Sequence, residues 1–184
     1  MSNKWIYDKV NSLVKKYQTR DPEELIKLLN INLIYMNTTK TLLGMYRVIL
    51  KNRFIFIPNN VGSLKKTVLA HELGHDQLHR QECIKGASFH ESRIFNPTNI
   101  YEMEANVFAA HLLISDEDII SMIKYAQSDR ELAYEIGVDL NLLNLKISEM
   151  AKMNLLDINQ QNSFVPDSTF LKDYKPLDDD WDDI

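Results

Sequence analysis

Three residues close together in the chain have the types and spacing for metal chemistry. His71, Glu72 and His75 form the His-Glu-x-x-His of the segment TVLAHELGHDQLH, residues 67 to 79. On a helix, residues four apart lie about 40° apart around the axis. His71 and His75 therefore project from one face and can grip one ion, while Glu72 can reach water beside it. Two histidines leave the set one ligand short, because catalytic zinc takes three protein ligands and keeps a fourth position open. The segment YEMEANVFAA, residues 101 to 110, offers Glu102 and Glu104. These point about 200° apart on a helix, so only one can face the ion. Glu102 is favoured, because Asn106 shares its face and can orient a ligand histidine by a hydrogen bond. Two imidazoles and a carboxylate suit Zn2+, one ion per chain. The expected chemistry is peptide-bond hydrolysis by a metal-activated water, with Glu72 as general base and then proton donor to the leaving amine.

The neighbouring reactive side chains have simpler readings beside the chemical ones. His79 is expected to cap the helix or to hydrogen-bond a ligand histidine. Tyr101, His79 and His90 are candidates to share the charge of the oxyanion, and each is also explained as a structural residue. His111 is read as a partly buried polar residue. Cys83 is read as packing, the alternative being a thiol that caps the metal and holds an enzyme latent.

The elements that must position these residues can be read from periodicity. Ile6, Val10, Leu13, Val14 and Tyr17 have helical spacing, so a helix is predicted over about 4–17. Asp21-Pro22-Glu23-Glu24 opens a short helix to about Leu29. Strands are predicted over 31–36, 43–50 and 53–57, the last two joined by a turn at Lys51-Asn52. The run Phe54 to Ile57 is almost wholly apolar and predicts a well-buried strand. The metal helix follows from about Ser63 to His79. From Arg80 to Thr98 the periodicity is weak, Asn96-Pro97 marks a break, and a long irregular segment is expected. Helices are then predicted over 100–114, from Ser115 to about Ala126, from Ser128 to Ile136, and over 141–153, with Gly137 as a breaker. Phe164-Val165 could form a short strand.

Composition bounds the rest. The chain has 184 residues, 45% hydrophobic and 26% charged, enough for one self-sufficient domain. It has one cysteine and so no internal disulfide, which suits a reducing cytoplasm. No apolar block marks a signal peptide, and no run approaches the roughly 20 residues that span a bilayer, so no membrane partner is expected. The net charge is −5, most of it in residues 171–184, which carry six aspartates against Lys172 and Lys175. Direct nucleic-acid binding is not expected, for want of a basic footprint. The acidic tail is read as a solvated end, the alternative being a dock for a basic domain or for the protein's own cleft.

LAHELGHDQLH (69 to 79) and EMEANVFAAHLL (102 to 113) together resemble the ImmA/IrrE family of metallopeptidases. The resemblance covers about residues 30 to 150. It implies that Glu102 completes the zinc site. It also implies a partner: members resemble site-specific proteases that cleave or otherwise inactivate helix-turn-helix repressors of mobile elements or stress genes. Asp76 is less apolar than the family usually has there, and Ile114-Ser115 stands where Met-Pro is common. Residues 129 to 146 resemble a helix-turn-helix, but the second helix is not basic, so a helical packing unit is the simpler reading.

The expectation is thus an α+β protein. It has a zincin-like (gluzincin) core of a small antiparallel sheet and a HExxH helix, followed by a helical C-terminal half. The metallopeptidase domain is placed at 1–170, with a helix-turn-helix-like unit at 128–153 and the tail at 171–184. The expected function is a cytoplasmic zinc endopeptidase with His71, His75 and Glu102 as ligands, Glu72 as catalytic base, and Asn106 and His79 behind the ligands. Its expected partner is a helix-turn-helix repressor. The alternative is a regulator that blocks a repressor without cutting it, its zinc structural or sensory.

Overall fold

The computed structural model describes residues 3–37, 42–86, 89–91, 99–126 and 128–156. The architecture is α+β, and contacts divide the described residues into two compact units, Asn3–Ser115 and those from Asp116 to Leu156.

The first unit begins with α1 (Lys4–Tyr17) and α2 (Pro22–Leu28). Ile6, Val10 and Leu13 form the buried stripe of α1, which packs on the later helix α5 (Ile100–Leu113). The Asp21 carboxylate accepts a hydrogen bond from the Glu24 N–H at 3.0 Å, so α2 starts at the predicted cap with Pro22 in its first turn. Just before it, Arg20 donates to the carbonyls of His111 and Leu112 at 2.9 and 3.3 Å. This satisfies two of the free carbonyls at the end of α5.

Four strands follow among the described residues: β1 (Asn32–Met36), β2 (Gly44–Ile49), β3 (Asn52–Pro58) and β4 (Phe89–Glu91), in the spatial order β1-β3-β2-β4. The sheet is mixed, not antiparallel as expected. β1 lies parallel to β3, with Asn32 beside Phe54, while β2 runs antiparallel to both β3 and β4. The hairpin β2–β3 folds back so that β3 inserts between β1 and β2. The parallel pair follows from that long-range insertion, which the local pattern does not encode. The hairpin turn is at Leu50-Lys51, one residue earlier than predicted, and both residues have positive φ (49° and 67°). That is the primed-turn geometry whose twist matches a hairpin.

β3 is not buried on both faces. Ile55 and Ile57 are fully buried, whereas Phe54 and Phe56 stand half-buried on the other face, their rings stacked at 6.0 Å. Helix α3 (Lys65–Leu78) packs against β2 and β3, and each buried isoleucine contributes about 1.5–3 kcal/mol there. The segment expected to be irregular contains α4 (Arg80–Ile84) and β4. Elements this short are too brief for periodicity to reveal. The break at Asn96-Pro97, the Phe164-Val165 segment and the acidic tail lie outside the described residues.

Helix α3 follows a 3-10 turn at Gly62–Leu64 and is buried all round from Thr67 to Asp76. Its main partner is α5. The two helices approach closely at Gly74. A Cβ added there would lie 3.1 Å from Ala105 Cα and 3.3 Å from Phe108 Cβ. The glycine of the His-Glu-x-x-His helix and the alanine of α5 thus form the contact that brings the first turn of α5 beside the histidines.

The second unit holds α6 (Asp116–Met122), α7 (Asp129–Ile136) and α8 (Leu140–Lys152). Ser128 caps α7, Gly137 ends it in the left-handed region (φ 77°), and Asp139 caps α8. Although α7 and α8 have the helix-turn-helix order, α8 has no exposed residue from Leu140 to Ala151. Lys146, its one cation before the last turn, is buried and ion-paired with Asp116 at 2.5 Å. Asn141, Ser148 and Ala151, half-exposed residues of α8, share one face that carries no cation before Lys152, so the helix lacks the basic surface a DNA groove requires. No helix among the described residues is long and apolar enough to cross a membrane.

Candidate metal centre

His71 and His75 lie one turn apart on α3, fully buried, with their rings 4.7 Å apart. Glu102 enters from the first turn of α5. Asn99 caps that turn by accepting the Glu102 N–H at 3.1 Å. A carboxylate in the first turn is also favoured by the helix dipole. The two Nε2 atoms are 3.0 Å apart, and Glu102 Oε2 is 3.2 Å from that of His71 and 3.6 Å from that of His75.

These atoms fit a tetrahedral ion. Ligand bonds of about 2.0–2.1 Å separate tetrahedral ligand atoms by about 3.3–3.4 Å, and the observed triangle brackets that range. The donor chemistry agrees. Asn106 Oδ1 lies 2.9 Å from His71 Nδ1 and can only accept, so the His71 proton sits on Nδ1 and its Nε2 presents a lone pair inward. Among the described residues, His71, His75 and Glu102 are the one group of three whose donor atoms all lie within 4.8 Å of one another.

Electrostatics keep the set in its ligating form. Burial pushes the His75 ring down from 6.5 to about 3, with His71 and His79 adding to the shift, so it stays neutral. Burial alone would raise the Glu102 carboxyl, but the imidazoles of His71 and His75, 3.2 and 3.6 Å from its Oε2, outweigh burial and hold it well below the usual carboxylate range.

Glu72 is fully buried, its side chain against the start of β2. A Cβ added at Gly44 would fall 2.5 Å from Glu72 Oε1, 2.6 Å from Val68 Cγ1 and 3.0 Å from Glu72 Cγ. Gly44 therefore makes the space that the carboxylate occupies. Gly44 also pairs with Glu91 of β4, which is an edge of the sheet among the described residues.

The remaining candidates are distributed as follows. Glu104 does not join the triangle. It bonds His79 instead, Oε2 to Nε2 at 2.8 Å, and His79 Nδ1 lies 3.1 Å from His75 Nδ1. Tyr101 meets the His79 ring edge-on at 5.1 Å. Of His90 only the backbone, in β4, is described. His111 is fully rather than partly buried and meets the ring of Tyr7 edge-on at 5.2 Å, away from the triangle on the far side of α5. Cys83 is a buried free thiol.

Two features escaped sequence reading. Nothing local distinguishes Gly44 from any strand glycine. Asp76 did leave a signal, as a charge in the middle of an otherwise buried helix. Its carboxylate is buried and receives Tyr46 Oη–H at 2.9 Å, Arg53 at 3.1 Å and Arg80 at 3.0 Å. Burial, together with the Asp76 charge and hydrogen bond, pushes the Tyr46 hydroxyl far above its ordinary 10.0, so it remains a donor. The cluster ties the back of α3 to β2, β3 and α4.

Comparison with known proteins agrees with this geometry. Residues 26–148 match the model of the peptidase M78 family, described as the IrrE N-terminal-like domain. The chain is also similar to "Uncharacterized immunity region protein 2" of Bacillus phage phi105. The two are 36% identical over 144 residues, which is 77% of this chain and 89% of that protein. The matched region contains both metal-facing helices, and with them the chain belongs to the ImmA/IrrE family of metallopeptidases.

Proposed function

We propose that the protein is a gluzincin-type zinc endopeptidase of the cytoplasm that cuts and inactivates a helix-turn-helix repressor of a mobile element. The observation that carries the metal chemistry is the convergence of His71 Nε2, His75 Nε2 and Glu102 Oε2. One zinc per chain would be held by these three, with Asn106 and His79 hydrogen-bonding the ligand histidines. Bound zinc supplies Lewis acidity, polarising the peptide carbonyl and making water acidic enough to lose a proton near neutral pH. The chain's own residues do the rest. Glu72, beside His71 and walled by Gly44, accepts the proton from the attacking water and hands it to the leaving amine. Among the described residues β4 pairs on one side only, and its other side suits an extended substrate, which would pair with it through backbone hydrogen bonds.

The choice of substrate rests on the phage relative, whose name places it in an immunity region. The test uses purified protein and the repressor encoded beside its gene. About one zinc per chain is expected, with cleavage of the repressor at a defined bond. Glu72→Gln should retain zinc and lose cleavage. Unchanged cleavage by that variant would refute the mechanism, and derepression in cells that survives Glu72→Gln would show blocking rather than cutting.

A further inference from the structure

A second carboxylate on α5 reaches the metal helix without entering the metal triangle. Glu104 lies about 200° around α5 from Glu102, yet its Oε2 is 2.8 Å from His79 Nε2. Two features allow this. Glu104 has a long side chain, and His79 sits at the end of α3, where the backbone has left helical geometry (φ −118°, ψ 17°). His79 Nδ1 in turn lies 3.1 Å from His75 Nδ1. Both rings are nearly fully buried, at 2% and 1% exposure.

The direction of every hydrogen bond in this chain follows from its first member. A carboxylate only accepts, so His79 Nε2 carries the proton that Glu104 receives. A neutral imidazole carries one N–H, so His79 Nδ1 is left as an acceptor. His75 Nδ1 must then be the donor, and His75 Nε2 is left with a lone pair directed at His71 Nε2 and Glu102 Oε2. The opposite tautomer of His75 would put a hydrogen where the ion must sit. His71 has its own tautomer set by Asn106.

We propose that Glu104 and His79 are positioning residues for the metal site: a carboxylate–imidazole–imidazole chain that sets the tautomer, ring orientation and basicity of His75. This rests on the reading that His71, His75 and Glu102 hold a metal. The competing explanation is that His79 only closes the end of α3, where its N–H donates to the His75 carbonyl at 2.9 Å, and that Glu104 is a surface acid paired with it.

The experiment compares wild type, His79→Phe, His79→Asn, Glu104→Ala and Glu104→Gln. Zinc affinity is read by competition with a chromogenic chelator. The visible absorption of the Co2+-loaded protein and the melting of the metal-free protein are read beside it. Loss of an outer partner of a ligand histidine typically weakens metal binding about 10–100-fold. His79→Phe and Glu104→Ala should both do so and should shift the Co2+ bands at full saturation. His79→Asn should stay within about threefold of wild type, because its side-chain oxygen can still accept from His75 Nδ1. Glu104→Gln, which keeps an acceptor but not the charge, should fall between. Glu104→Ala carries the test if His79→Phe does not fold. The proposal is overturned if Glu104→Ala binds zinc as wild type does with unshifted Co2+ bands. It is also overturned if His79→Asn loses as much affinity as His79→Phe. Failure of wild type itself to bind zinc would instead refute the metal reading on which the proposal rests.

Discussion

Replacing Gly44 by alanine adds one methyl group at the point where β2 meets the proposed catalytic base. The added carbon would lie 2.5 Å from Glu72 Oε1 and 2.6 Å from Val68 Cγ1. Non-bonded heavy atoms settle at about 3.5 Å or more, so the Glu72 carboxylate must retreat by about 1 Å. The retreat is not a free rotation, because Glu72 is buried and its Cγ would also be only 3.0 Å from the new carbon. A misplacement of about 1 Å in a catalytic geometry can cost about 100-fold in rate, and overpacking typically costs about 1–3 kcal/mol in stability. The two losses separate in a second variant. Val68→Ala added to Gly44→Ala removes the contact with Val68 and leaves those with Glu72, so it should recover part of the stability and little of the rate. The three atoms nearest the added carbon belong to Glu72 and Val68 rather than to His71, His75 or Glu102, so zinc content should stay at the wild-type level. The assay pairs single-turnover cleavage of the cognate repressor with elemental analysis and thermal melting. A Gly44→Ala protein that cleaves at the wild-type rate would refute the placement of Glu72 as base. Loss of zinc in parallel with activity would show that the substitution disturbs the ligands instead.

Other outcomes follow from the same structure. Asp76→Asn leaves Arg53 and Arg80 without their buried counter-charge. Because those side chains are 21% and 40% exposed, the loss should be about 2–3 kcal/mol rather than the full cost of breaking a buried pair. Thermal melting would check this, and an unchanged midpoint would rule out a structural role for the cluster. Tyr46→Phe should cost about 1.5–3 kcal/mol, since it removes a bond to a charged acceptor. Metal-free protein should lose stability on acidification. His75 is neutral in the fold down to about pH 3 but protonates near 6.5 when unfolded, so its contribution is complete above about 6.5 and is lost as pH falls towards 3. The depressed Glu102 carboxyl adds a loss of the same sign at lower pH. Melting of chelator-treated protein from pH 7.5 to 4.5 reads the His75 loss and from 4.5 to 3 the added Glu102 loss, and a rising midpoint would contradict the burial of a neutral His75. Adding zinc should raise the midpoint at neutral pH, more so at higher free zinc, as binding to the folded state alone requires.

Much of the candidate site was legible because its first half is local. The one-turn spacing of His71 and His75 follows from helix geometry alone. The same holds for the caps at Asp21 and Ser128 and the stop at Gly137, each written in one or two adjacent residues. Glu102 was preferred to Glu104 because Asn106 shares its face, and in the fold it is the Glu102 carboxylate that lies beside the two histidines. The readings that failed were those that depended on what lies across the sheet. Phe54 and Phe56 looked like core beside Ile55 and Ile57, but only one face of β3 is covered, and no local pattern says which side a helix will take.

The chain by itself determined the helices that carry His71, His75 and Glu102, their caps and residue types able to hold a metal ion, because those depend on neighbours within a turn or two. The tertiary structure alone decided which groups separated by many residues would meet. It inserted β3 between β1 and β2, set Gly44 against Glu72, gathered Tyr46, Arg53 and Arg80 on Asp76, and turned Glu104 to His79. Those meetings come from packing α3 at once against a sheet and against α5, a choice made by the whole buried surface rather than by any segment of it.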